Sequence, residues 1–327
     1  LAVYYHPGHG RNVDRMLDAL EVSLDYYQKN FGPYQFDQVR IIEFPGYETF
    51  AQSFANTIPY SESFGFAGDF SDPEDIHYAT YVTAHELAHQ YWGHQIAGAQ
   101  MQGGTLLVET LSQYSALMVM KKIYGEDQIR RFLKYELDNY LASRGTELLE
   151  EQPLARVENQ QYIHYRKGSV AMYLLQERLG EDAVNRALRT LLNQYRFKGA
   201  PYPRSVDLIR ALRTEAETSE QQALITDLFE RITIYDLKVD EPTATKRADG
   251  KWLDRVPVEA SKYYPDGKGN ETETKLDEPI EIGLFAAEPG RGAFDRKDVI
   301  LMELRPIRSG RQVLTFVTDR KPAFAGV

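Results

Sequence analysis

Two periodicities divide this chain. Val13, Met16, Leu17, Leu20, Leu24 and Tyr27 share one helical face, which predicts a helix over 12–29 that Gly32 and Pro33 stop. Residues 38–44 (QVRIIEF) read as a strand ended by Pro45 and Gly46. Residues 2–5 look like a short strand with no partner nearby, so 1–8 is expected to be the remnant of a preceding β domain. From 47 to 70 aromatic and small residues predict extended chain. SDPED at 71–75 resembles a helix start, with the helix running to Trp92 and Gly93 as its stop. Gly103 and Gly104 break the pattern before a second helix over 105–124. Further helices are expected over 126–144, 166–179, 181–195, 204–217 and 219–232. After Ile232 short runs alternate apolar with polar, and turn signals at 265–270, 288–292 and 308–311 separate them. The expected fold is α+β: a mostly helical domain over 9–235 and a small antiparallel β-sandwich over 236–327.

On the helix predicted to end at Trp92, His85, Glu86 and His89 form H-E-x-x-H. Residues four apart share a helical face, so the two imidazoles can meet at one point. Zinc takes such nitrogens, and Glu86, one step round the helix, can reach a water there as general base. A catalytic zinc wants a third protein ligand. His94 sits five residues after His89, which fails the spacing that would make a third histidine a ligand. Glu109, on the second helix, is the other option if the two helices fold back on each other.

Composition changes the picture little. The 327 residues carry a net charge of −10, which argues against a nucleic-acid surface, and no cysteine, which excludes disulfides and thiolate chemistry. No apolar run is long enough to suggest a membrane span, and no basic-then-apolar leader opens the chain. Leu1 rather than Met begins it, so it is expected to be a piece of a longer protein. His6 and His9 frame a Pro-Gly turn and read as surface histidines.

HELAHQYWG at 85–93 resembles the first zinc helix of the aminopeptidase N family of zinc peptidases, the gluzincins. ETLSQY at 109–114 is similar to that family's second helix, with one residue more between His89 and Glu109 than is usual there. The loop over 94–104 is the natural place for it. The resemblance implies a thermolysin-like catalytic domain holding one Zn²⁺ on His85, His89 and Glu109, and a peptide substrate. YIHYRKG at 162–168 resembles the family's Tyr-x-Lys-Gly segment, which makes Tyr165 the oxyanion donor. PYSESFGF at 59–66 takes the place of a Gly-Ala-Met-Glu-Asn strand, which implies that Glu62 binds the substrate's amino group. The wording around HELAHQYWGHQ and ETLSQYSALMVM resembles a bacterial branch whose peptidase-like domain belongs to a larger, permease-like membrane protein. That implies a soluble domain, here without its N-terminal domain, of a membrane-anchored parent. The expected activity is aminopeptidase; endopeptidase or dipeptidase action, or a zinc-containing peptide-binding domain with little turnover, are the alternatives.

Overall fold

The computed structural model describes residues 1–72, 77–289 and 296–327. These divide into two compact units, Leu1–Arg231 and Ile232–Val327.

In the first unit three parallel strands, β1 (Ala2–Tyr4), β2 (Arg40–Phe44) and β3 (Thr57–Ser61), form a small sheet in the order β1-β2-β3. The expectation that residues 2–5 lack a partner is corrected here: Ala2, Val3 and Tyr4 pair with Arg40, Ile41 and Ile42. A parallel partner needs a crossover, and the intervening helix α1 (Val13–Phe31) supplies it. The expected extended stretch 47–70 holds β3 and then a wide turn, Glu62–Phe66, closed by the Ala67 N–H on the Glu62 carbonyl. The expected helix start at 71–75 lies partly outside the described residues, and the helix is described from Tyr78.

The remaining helices are α2 (Tyr78–Ala88), α3 (Leu111–Tyr124), α4 (Glu126–Arg144), α5 (Gly168–Leu179), α6 (Glu181–Tyr195), α7 (Ser205–Glu215) and α8 (Ser219–Ile225). α2 and α3 are buried on nearly every side, as central helices are. α1 packs one face, through Met16, Leu20, Tyr27 and Phe31. Phe31 meets Trp92 edge-on at 5.2 Å and Tyr27 meets Tyr91 at 5.9 Å. Each such pair adds about 0.5–1.5 kcal/mol beyond its buried area. The Tyr27 hydroxyl donates to the Ala84 carbonyl, which fixes the register of α2 on α1.

α2 stops at Ala88, four residues before the expected end. From there the backbone tightens, with the Gln90 N–H on the Leu87 carbonyl and the Tyr91 N–H on the Ala88 carbonyl. Gly93, at φ +138°, then turns the chain, while the buried Trp92 indole donates to Ser115 Oγ at 2.9 Å.

The second unit is antiparallel β. β4 (Ile234–Val239), β5 (Thr243–Lys246), β6 (Trp252–Pro265), β7 (Glu271–Thr274) and β10 (Gly310–Thr318) make one sheet around β6. β8 (Asp277–Phe285), β9 (Val299–Arg308) and β11 (Phe324–Gly326) make the other. Val256, Val258, Ala260, Ile282, Leu284, Ile307 and Phe316 form its core, drawn from both sheets. The turn signals at 265–270 and 308–311 join β6 to β7 and β9 to β10; the one at 288–292 lies partly outside the described residues.

Candidate metal centre

α2 and the stretch leading into α3 bring His85, His89 and Glu109 together. The two Nε2 atoms are 3.0 Å apart, and Glu109 Oε2 is 3.4 Å from each. Three donors on one zinc at its usual bond lengths stand about 3.3–3.4 Å apart, so this triangle needs little adjustment to close on an ion. Glu109 Oε2 is buried and has no hydrogen-bond partner, as is His85 Nδ1. An orphaned buried carboxylate oxygen facing two imidazoles fits a cation.

Local structure sets this geometry. Glu109 lies in a wide helical turn, Leu106–Thr110, in which the Leu111 N–H reaches back five residues to the Leu106 carbonyl. Such a turn carries an extra residue and shifts the phase of side chains after it, and these turns favour functional sites. The helix itself can therefore take up the extra residue that the loop over 94–104 was expected to absorb. His89 Nδ1 lies 3.1 Å from the Trp92 carbonyl and 3.0 Å from Ser112 Oγ, whose own proton goes to the Val108 carbonyl. With Nδ1 as the donor, the lone pair of Nε2 faces the cluster.

Charge follows the same arrangement. Burial works against a charged His89, but the facing Glu109 carboxylate outweighs it and raises the imidazole to about 9. Burial would raise Glu109, yet the two imidazoles that its Oε2 faces hold it well below the usual carboxylate range. Burial pushes Glu86 up, the two histidines pull it back, and the net effect leaves it raised. Glu86 accepts a backbone hydrogen bond from Ser53.

Tyr165 comes from a second wide turn, Tyr162–Lys167, closed by the Gly168 N–H on the Ile163 carbonyl. Its hydroxyl bonds Glu109, and its ring lies 5.9 Å from that of His85. The flanking residues anchor it: Arg166 reaches the buried Glu136 at 2.5 Å, and Lys167 reaches Glu151 at 3.3 Å. Gly168 is required by close approach, since a Cβ there would stand 2.7 Å from Thr110 Cγ2, beside Glu109. Thr110 Oγ1 completes the contact by donating to the His164 carbonyl at 2.7 Å.

Glu62 is not one of the donors of this cluster. β3 ends at Ser61, and the wide turn that follows carries Glu62 toward the end of β2. There its Oε1 accepts from the Gly46 N–H at 2.7 Å. The backbone that borders Glu86 belongs to residues 53–56, pinned by Gln90 Nε2 to Ser53 Oγ (2.6 Å) and to the Phe54 carbonyl (2.8 Å). His94 Nε2 lies 3.3 Å from the Ser53 carbonyl, on that segment. Ser53, Gln90 and Ser112 were not singled out from sequence. Ser112, three residues beyond Glu109 on the same helical face, had a periodic signal; Ser53 had none.

Residues 15–231 match the model of the peptidase family M1 domain. Over 197 residues the chain is 26% identical to the probable aminopeptidase 1 of Sulfurisphaera tokodaii, covering 57% of this chain and 25% of that protein. It is 26% identical over 208 residues to human endoplasmic reticulum aminopeptidase 2, covering 61% of this chain and 22% of that one. The chain thus spans about a quarter of the length of these relatives. The crystal structure of Legionella pneumophila aminopeptidase A in complex with aspartic acid superposes on 98% of this chain and 34% of its own, with a TM-score of 0.57 at 15% identity. That likeness is one of fold.

Proposed function

This chain belongs to peptidase family M1, and from that premise we propose that it is a zinc-dependent aminopeptidase. The observation that carries the proposal is the triangle of His85, His89 and Glu109 with its orphaned carboxylate oxygen, beside a buried acid that is not part of it. Unit 1, Leu1–Arg231, is the thermolysin-like catalytic domain, and unit 2, Ile232–Val327, is a β-sandwich.

His85, His89 and Glu109 hold the zinc, one per chain. When bound, it supplies Lewis acidity, polarising the scissile carbonyl and acidifying water. Glu86 takes one proton from the attacking water and passes it to the leaving amine as the C–N bond breaks and the new C–O bond forms. The Tyr165 hydroxyl turns from Glu109 to the carbonyl oxygen as negative charge develops there. Burial, and then Glu109, push that phenol well above its ordinary range, so it stays a donor at working pH.

The direct test is turnover of an aminoacyl anilide by the chelated and the zinc-restored protein. Activity that returns with zinc is expected; activity indifferent to chelation would defeat the proposal. A second reading rests on Glu62, whose carboxylate is engaged at Gly46 and not at the cluster. Without that acid at the substrate's amino end the site would cut blocked peptides too, as an endopeptidase. Free and N-acetylated forms of one peptide separate the two: preference for the free amine supports aminopeptidase action, and equal cleavage supports the second reading.

Metal loading is expected to depend on pH. With His89 raised to about 9, the metal-free site holds a proton at neutral pH that the metal must displace. Apparent zinc affinity should tighten about tenfold per pH unit between roughly pH 6 and 8. Chelator competition at fixed ionic strength measures this, and a flat profile would mean that His89 is already neutral.

Among the described residues no helix is long and apolar enough to cross a membrane. The likeness of the 85–120 wording to the permease-linked branch supports a place for this unit within a larger, membrane-associated protein with a further N-terminal domain.

A further inference from the structure

The three stretches that carry the site are joined by a chain of buried hydrogen bonds one helical turn away from it. Tyr81 lies on α2, four residues before His85. Gln113 lies on α3, four residues after Glu109, and Ser169 lies in the first turn of α5, four residues after Tyr165. All three are buried. The Tyr81 hydroxyl donates to Gln113 Oε1, Gln113 Nε2 donates to Ser169 Oγ at 3.2 Å, and Ser169 Oγ donates to the Tyr165 carbonyl at 2.8 Å. A hydroxyl has one proton, and here each is used once. The chain therefore runs in one direction, from α2 through α3 to Tyr165. The buried Glu136 also faces Ser169 and is met by Arg166.

Filling the space does not require these polar groups. The Tyr81 ring packs on Phe132 at 4.6 Å between centroids and lies 6.2 Å from that of His85, contacts that a phenylalanine would make equally. Burying hydroxyls and an amide costs desolvation that apolar side chains of the same shape avoid. What the polar chain adds is direction: hydrogen bonds fix distance and angle, and a fully satisfied network rigidifies the elements it joins. Residues four apart share a helical face, so each member is attached one turn along from a functional residue. Glu109 and Tyr165 both sit in wide turns, where the regular helical phase is lost. Gln113 and Ser169 fasten each of these turns from the regular helix that follows it.

We propose that Tyr81, Gln113 and Ser169 are positioning residues of the reaction, a single donor chain that sets the metal-binding triangle and aims Tyr165. The Tyr81–Gln113 bond fixes α2 against α3, and so His85 and His89 against Glu109. The Ser169 bond holds the Tyr165 carbonyl, and so the origin from which its hydroxyl reaches the oxyanion. The role deepens the zinc-aminopeptidase reading and rests on it. Misplacing a reacting group by about 1 Å can cost on the order of 10²-fold in rate, so small shifts here matter.

The test separates the two ends of the chain. Tyr81→Phe keeps the ring and removes the α2–α3 bond; by chelator competition its zinc affinity is expected to fall about tenfold, the lower end of what a lost ligand-orienting contact costs. Ser169→Ala keeps that bond and frees the Tyr165 carbonyl; at full zinc occupancy its kcat is expected to fall about tenfold with KM and zinc affinity unchanged. Made in Tyr165→Phe, Ser169→Ala should cost nothing further, because the donor it positions is already gone. Gln113→Met, of similar volume and without an amide, should show both losses at once and carries the test if either other variant fails to fold by circular dichroism. Unchanged zinc affinity in Tyr81→Phe overturns the proposal, as does a Ser169→Ala loss of equal size with and without the Tyr165 hydroxyl. Wild type controls for the underlying reading: absence of zinc-restored turnover there defeats that reading and the positioning role with it, whereas normal wild-type turnover with unaffected variants overturns the positioning role alone.

Discussion

Glu86→Gln is expected to keep its zinc and lose about 10²- to 10⁴-fold in kcat, the range that a positioned general base supplies. The side chain is buried, sits one residue beyond His85 on α2, and is not one of the three converging donors. Glutamine has nearly the same shape, and its carbonyl oxygen can still accept the Ser53 hydrogen bond. What it cannot do is take a proton from water. Burial holds the Glu86 carboxyl above its ordinary value despite the two histidines, which brings its basicity nearer to working pH and strengthens it as a base. The sign for pH follows. Below its raised pKa Glu86 is protonated and cannot accept, so wild-type kcat/KM should fall on the acid side, and the residual rate of the variant should lack that limb. The measurement is kcat with zinc content on the same sample. Near-full hydrolysis at full zinc occupancy would remove Glu86 from the chemistry.

How much of this site could be read in advance follows the range of the forces that build it. His85, Glu86 and His89 lie within one and a half helical turns, so their mutual placement is local and the sequence spacing alone determines it. The helices punctuated by Gly32, Gly125 and Gly180 were legible for the same reason, since each ends at a positive-φ glycine. Glu109 needed a fold-back that no local pattern encodes, and the family resemblance supplied it. The wide turns at 106–110 and 162–167 were invisible, because periodicity reading assumes a constant 3.6 residues per turn, and a turn closed across five residues breaks that assumption.

Glu62 stands at a boundary that periodicity does not mark: Ser61 is still in the sheet, and Glu62 already belongs to the turn, where its carboxylate accepts from the Gly46 N–H. The strand at residues 2–4 lacked a visible partner because a parallel partner lies a whole helix away in sequence, at 40–42. Long-range parallel pairing of three-residue strands carries almost no sequence signal.

Tyr165→Phe carries the other large effect, a fall in kcat of about 10²- to 10³-fold with KM little changed, which is what removing one oxyanion donor costs. The competing account is packing: Tyr165 lies against His164 at 4.5 Å between ring centroids and against His85 at 5.9 Å. Phenylalanine keeps both ring contacts and removes only the hydroxyl, so the substitution isolates the donor from the ring. That hydroxyl stands beside Glu109. Its removal should therefore leave Glu109 more available to a cation, and zinc affinity should hold or rise. A loss of kcat with zinc affinity preserved identifies a donor used as charge develops. A loss of zinc in parallel with activity would instead make Tyr165 a support for Glu109. A kcat within about threefold of wild type would show that the oxyanion is met by zinc alone, because a single good donor in a water-poor site is worth more than that. Arg166 and Lys167 sharpen the reading. They tie the turn to Glu136 and Glu151, so the backbone of Tyr165 is held by contacts that the substitution leaves intact.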